Sequence, residues 1–321
     1  ADTGKMQLNV GNYPTLESML GSAVGISGTA AAAMAAINAL KSGVSTAMDY
    51  QQQLSGLAAI LGTTTDKIKE LAAQSRELGS TTIFTAQEVV QLQTELAKLG
   101  YATQDIIAMT PSVLNFAQAT GSSLADAASL TGAALRMFEK DTSHTTEYVD
   151  KMAAATTKSA LSFNYLNNAL STVAPVANAF GFELEDVLAL LGQLANAGFD
   201  ASSAATATRN ILLNLADSGG KLAKALGEPV TNLDELIKGL KTLNDRGIDL
   251  AESLELTDKR SVAAFNTFLA GTNTVIDLRD EIVRANGAAE DMAKTMGDNL
   301  AGSVKTLQTA WQDFMIELNG S

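Results

Sequence analysis

The sequence predicts an all-α fold: a multi-helical bundle of short, glycine-punctuated antiparallel helices. Three observations carry this expectation. Apolar residues recur at helical spacing, as in Leu184, Val187, Leu188, Leu191 and Leu194, and again one unit later in Ile211, Leu212 and Leu215, with no sheet alternation. Four prolines, 5% aromatic residues and abundant alanine favour helix over sheet. Glycines at 62, 79, 100, 121, 181, 198, 227 and 247 each follow an apolar helical run and precede a polar capping residue.

In chain order, residues 1–14 form an irregular lead ending at Pro14. Ser18 to Leu40 then carries no charge and has the length of a membrane-crossing helix, but alanine, glycine and serine dominate it. Gly21 and Gly25 form one small-xxx-small pair, and the scarcity of bulky side chains favours a helix buried in protein over one in lipid. Gly62 opens the punctuated region. Thr85 with Glu88 makes a capping box, flanked by Phe84 and Val89 where a hydrophobic staple would sit. Gly121 with Ser123, and Gly198 with Asp200, place a stop and a new cap within a few residues, and Gly181 ends another helix. Short loops between helices of three to five turns force successive helices to fold back on one another.

The stretch from Ser159 to Asp217 is the centre of the chain. No charge occurs from Ser159 to Phe182, and only Glu183, Glu185, Asp186, Asp200 and Arg209 interrupt the remainder before Asp217, so this segment belongs inside a core. After Asp217 charges increase. Gly219-Gly220-Lys221 reads as a turn, and Thr231 and Asp234 are expected to cap the helix after Pro229. Near the end, Leu300, Val304, Leu307, Trp311, Phe314 and Leu318 step by 4, 3, 4, 3 and 4, the period of a coiled-coil seam. The seam fits either an intermolecular bundle or docking on the chain's own core. Three regions follow: 1–44, a lead and small-residue-rich helix; 45–217, a core helical domain; and 218–321, a second helical region ending in the seam.

Composition excludes several classes. Twenty-two basic against 35 acidic residues give a net charge of −13, the wrong sign for tracking a phosphate backbone. Cysteine is absent, which removes disulfides and thiolate metal sites. The single histidine, His144, lies in a loop-like segment without the partners of a metal site or a catalytic triad. Glu183, Glu185 and Asp186 start a helix, where acidic groups oppose the positive end of its dipole, which explains them better than paired-acid hydrolysis does. Gly219-Gly220-Lys221 lacks the upstream glycine and following hydroxyl of a phosphate loop, and the methionines are scattered helix fillers. Neither a cofactor nor a metal is expected. The chain begins at Ala1 with no signal-like segment, which reads as a piece of something larger.

The run GSTTIFTAQEVVQLQTELAKLGYATQDIIAMTPSVLNFAQATGSSLADAASLTGAALRMF, followed by LSTVAPVANAFGFELEDVLALLGQLANAGFDASSAATATRNILLNL, resembles the core region of phage tail tape-measure proteins. Leu78 to Glu88 matches that family's L-G-x-x-T-x-F-[ST]-x-x-E pattern, and Tyr50 to Thr65 stands where its F-E-x-A opening and G-x-T occur. Tyr50-Gln51 departs from the usual Phe-Glu, and Glu183 from a serine-like cap. The resemblance is strong over residues 45–217 and loose over 218–318. It implies a structural role in the tail of a long-tailed phage or prophage, setting tail length and taking part in DNA ejection. Implied partners are the tail tube protein, tail assembly chaperones or tail-tip proteins and further copies of the chain, with a possible host inner-membrane contact. Implied locations are the tail lumen of the virion and, during assembly, the host cytoplasm. A ruler needs long continuous helix, so this piece reads as a folded module with ruler helices beginning near Ser303 or beyond Ser321. A membrane-active pore former or injected effector, and a bacterial helical scaffold, are the competing classes.

Overall fold

Sixteen α-helices and no strand occur among the described residues. The computed structural model describes residues 29–320 apart from 218, 228, 229 and 299. The lead, the Gly21 and Gly25 pair and the uncharged stretch as far as residue 28 lie outside these, as do the side chains of residues 29–44 and of Leu300 and Leu318. The order is α1 (Thr29–Ile60), α2 (Lys69–Thr81), α3 (Ala86–Lys98), α4 (Thr103–Thr120), α5 (Leu124–Met137), α6 (Thr145–Lys158), α7 (Phe163–Ala179) and α8 (Leu184–Asn196). Then come α9 (Ala201–Ala216), α10 (Lys221–Leu226), α11 (Leu233–Arg246), α12 (Leu250–Leu256), α13 (Val262–Ala270), α14 (Thr272–Val283), α15 (Ala288–Gly297) and α16 (Leu300–Gly320).

Side chains start most of these helices and glycines stop many. Thr85 accepts from Glu88 N while Glu88 accepts from Thr85 N at 2.7 Å, so two amides at the head of α3 are satisfied reciprocally. Ser123 accepts from Asp126 N and Asp200 from Ser203 N. Gly62, Gly100, Gly121, Gly181, Gly198, Gly227 and Gly247 have φ between +65° and +86°, the left-handed region that a Cβ disfavours. Gly79 does not belong with them. It lies inside α2, and a Cβ there would stand 2.5 Å from Ala86 N, so this glycine permits the close approach of the α2 and α3 segments. The cap of α11 also differs from expectation: Asn232 accepts from Glu235 N, and Thr231 donates to the Glu235 carboxylate from the preceding position.

Packing runs largely between helices two apart: α3 on α5, α4 on α6 and α7 on α9. α8 lies in the middle, buried on nearly every side from Leu184 to Ala195, and it meets α6, α7, α9, α13 and α14. A helix that is apolar all round has no solvent face to present, which explains the charge-free centre of the sequence. One contiguous buried cluster extends from Tyr50 through Leu188 and Phe265 to Ile316, joining residues on both sides of Asp217. Pro111 interrupts α4 without breaking it. Proline has no N–H for the Ile107 carbonyl one turn back, and Gln74 of α2 supplies the donor instead, Nε2 to O at 2.8 Å.

Candidate interaction surface

α16 lies across α1 and α2. Thr309 Oγ1 donates to Thr82 O at 2.8 Å, Arg76 Nε meets Asp313 Oδ1 at 3.3 Å, and Arg76 also reaches Glu317 at 3.5 Å. Lys305 Nζ sits 5.6 Å from the centroid of the Phe84 ring, and Ile316 is buried with Thr309. Residues 309, 313 and 317 thus meet α2 in descending order, so α16 runs antiparallel to α2. α2 itself returns along α1, with Tyr50 bonded to Ser75 and Ala72, so α16 and α1 are parallel. A groove of about 440 Å³ lined by Tyr50, Leu54, Lys69, Ala72, Arg76 and Ile316 lies at the foot of this three-helix layer.

The docked face of α16 is not its apolar seam. Val304, Leu307, Trp311 and Phe314 are 48%, 72%, 57% and 49% exposed, whereas Thr309 and Ile316 are buried to 2% and 6%. At 100° per residue the two sets lie about half a turn apart. The rings of Trp311 and Phe314 pack against each other, centroids 5.6 Å apart, on the outer surface. The expectation that the seam docks on the chain's own core is not met: α16 docks there through Thr309, Asp313 and Ile316, and the seam is turned outward.

α15 precedes it and is held by side chains from the body. Asp150, buried in α6, accepts from Gly287 N at 2.7 Å and Ala289 N at 2.9 Å, and Gln118 donates to Ala293 O at 2.7 Å. Asp150 caps from 137 residues away. Nothing local in the sequence signals that pairing.

Of the titratable groups singled out from the sequence, His144 and Glu185 are linked through Glu147 and Lys151, while Glu183 and Asp186 have other partners. His144 Nδ1 meets Glu147 Oε2 at 3.0 Å on the surface. Glu183 pairs with Lys140 at 3.0 Å, and Glu185 with Lys151 at 2.8 Å. Burial pulls the Lys151 pKa down, but its hydrogen bonds to Glu147 and Glu185 outweigh this and leave it raised. Asp186 turns inward and accepts from Glu183 N at 3.0 Å, and burial pushes its pKa up to about 6. The three acids at the head of α8 therefore face three different partners. Gly219 and Gly220 donate their amides back to Asp217, and Lys221 pairs with Glu255, which makes this segment a turn closed on itself. Among the described residues, no three His, Cys, Asp or Glu side chains gather as a metal site.

The helical body and outward seam can be set against known proteins. Residues 72–260 match the family model of the phage-related minor tail protein. The chain belongs to that family. Within it, the chain is similar to the tape measure protein of Pneumococcus phage Dp-1, 28% identical over 283 residues, which is 84% of this chain and 24% of that protein. It is also similar to the probable tape measure protein of Escherichia phage P2, 27% identical over 309 residues, covering 90% of this chain and 37% of that protein. The chain thus spans well under half of either relative. No solved structure matches it. The family match begins within α2 and ends just before α13, so it covers most of the body but not α13 to α16.

Proposed function

We propose that this chain is a folded module of a phage tape-measure protein, a structural component of a long-tailed phage or prophage tail that takes part in setting tail length and in DNA ejection. The observation that carries this reading is the alignment of two tape measure proteins over 84% and 90% of the chain. The architecture supports a structural part: an extensive apolar core and an apolar stripe facing out. The module works in the tail lumen after assembly in the host cytoplasm. It meets the tail tube protein and assembly chaperones or tail-tip proteins, associates with further copies of itself, and makes no direct contact with nucleic acid. Among the described residues no helix is long and apolar enough to cross a membrane, so the pore-forming alternative finds no support there. We assign the module no enzymatic activity.

Helices joined by short loops build a compact body, whereas a ruler gains about 1.5 Å of length per helical residue. The length-reading part therefore lies outside α2 to α14. In a phage encoding this chain, an in-frame deletion of residues 163–216 is expected to abolish tail formation, not to shorten tails in proportion to the residues removed. Tails of unchanged length and normal infectivity would overturn the proposal. Clearing of peptidoglycan in a zymogram, lost on changing Glu183 and Asp186 together, would overturn the non-enzymatic assignment.

A further inference from the structure

We infer that Asn286-Gly287 is a self-modifying site, at which Asn286 converts to aspartate or isoaspartate, and that the Asp150 carboxylate holds this conversion back while α15 is docked. The dipeptide sets the chemistry. The Gly287 nitrogen attacks Asn286 Cγ and forms a C–N bond as the Cγ–Nδ2 bond breaks, and the side-chain nitrogen leaves as ammonia with the proton that Gly287 gives up. Water then opens the five-membered imide at either carbonyl, so one water is consumed and one ammonia released for each new carboxyl group.

The surroundings leave the reacting atoms accessible. Asn286 is exposed on the short link between α14 and α15, and nothing stands within 4 Å of where a Cβ on Gly287 would be. Glycine brings no side chain of its own to shield its nitrogen. What opposes the attack is the contact with Asp150. Gly287 N donates to Asp150 Oδ2 at 2.7 Å, and this carboxylate, on a residue only 4% exposed, is fixed by a second bond from Ala289 N at 2.9 Å. Cyclisation needs the Gly287 nitrogen to turn toward Cγ in a near-attack geometry and to lose its proton. The bond to Asp150 prevents the turn, and a carboxylate beside the nitrogen disfavours the negative charge that proton loss creates. The reaction therefore proceeds from the state in which the head of α15 has left Asp150.

The product does not return to the docked state. Isoaspartate lengthens the main chain by one methylene in a link already drawn tight, where Ala285 N bonds to Ile282 O and Asn286 N to Arg284 O. Either product also places a negative charge one residue from the amide that Asp150 receives, and the two carboxylates repel. Release of α15 is thus recorded covalently: a docked chain keeps its asparagine, and a chain that has opened carries the acid.

The test uses the 321-residue chain and does not depend on the tail reading. Trypsin cuts after Arg284 and Lys294, so peptide 285–294 isolates the site from Asn319-Gly320, the other Asn-Gly pair in the sequence. After incubation in mildly alkaline buffer, mass spectrometry of this peptide should show conversion at least about tenfold slower in the folded chain than in the same synthetic peptide. Asp150→Ala should raise the rate in the folded chain by about tenfold or more. Asp150→Asn, of the same shape, sets an NH2 group against one of the two amides and should accelerate conversion in the same direction, which keeps the test open if Asp150→Ala fails to fold. Asn286→Asp should raise hydrogen exchange in residues 287–297 and leave α7 to α9 as protected as before. Conversion in the folded chain at the peptide's rate, or a rate that neither Asp150 variant raises, would overturn the inference. A slower rate in Asp150→Ala would make the carboxylate the base of the reaction and overturn it equally, and unchanged exchange in Asn286→Asp would refute the covalent record.

Discussion

The Asp150 carboxylate caps a helix that begins at Ala288, with one oxygen on Ala289 N and the other on Gly287 N. Both amides belong to the start of α15, where the helix supplies no acceptor of its own. Asp150→Ala is expected to cost roughly 2–4 kcal/mol, since one buried and one part-buried donor lose their carboxylate acceptor. In hydrogen exchange the loss should concentrate in residues 287–320 and spare α7 to α9. A uniform loss of protection would mean that Asp150 supports the body and not the cap.

Gln74 and Pro111 should be coupled. Removing the amide by Gln74→Ala leaves the Ile107 carbonyl without its donor and is expected to cost about 1–2 kcal/mol in urea unfolding. In a Pro111→Ala background the restored N–H of residue 111 can serve that carbonyl, so the same change should cost less than half as much. Equal costs in the two backgrounds would dissociate the pair.

Glycines in two different settings should respond differently. At Gly79 a Cβ would meet the Ala86 backbone, so Gly79→Ala forces α2 and α3 apart and is expected to destabilise by about 2–3 kcal/mol. At Gly198 nothing stands within 4 Å, and φ of +86° alone opposes a side chain, so Gly198→Ala should cost only about 1 kcal/mol. Thermal unfolding of the two variants side by side tests the order.

Asp186 sets a pH dependence with a definite sign. Its folded pKa, about 6, lies above the ordinary 3.8, so the folded chain binds this proton more tightly than the unfolded chain does. The stability associated with the protonated form is present near pH 4 and is lost as pH rises through about 6. Asp186→Asn keeps an acceptor for Glu183 N without a buried charge. It should raise stability at pH 7 by roughly 1–3 kcal/mol and flatten the profile between pH 4 and 7. An unchanged profile would show that solvent reaches the carboxyl.

Local signals in the sequence were strong where the structure is local. Thr85 with Glu88, Ser123 and Asp200 are each followed within three residues by the amide they receive, and period alone marks α8 and α9 as core. Other features lie between distant segments. The stepping from Val304 to Phe314 defines a stripe but not its direction, because Thr309 and Ile316 on the far side make an adequate docking face that no apolar period announces. Gly79 follows an apolar run like the terminating glycines, and only the position of Ala86 reveals its different duty. In Thr231-Asn232-Leu233-Asp234 three residues can cap, and the backbone, extended at Asn232, chooses among them. The pairing of Asp150 with α15 joins residues too far apart for any periodicity to connect.

The parallel arrangement of α1 and α16 has a mechanical consequence. Thr29 and Gly320 lie at opposite ends of a shared layer, so tension applied between them slides the two helices lengthwise. Such loading strains the Arg76 ion pairs, the Thr309 bond and the Ile316 contact together, not one after another. A pull directed across α16, away from Thr82 and Arg76, would instead peel those contacts in sequence. The same helix is therefore stiff along the chain's long direction and easily stripped from the side, a directional compliance that single-molecule pulling from differently placed attachment points would register as high and low rupture forces.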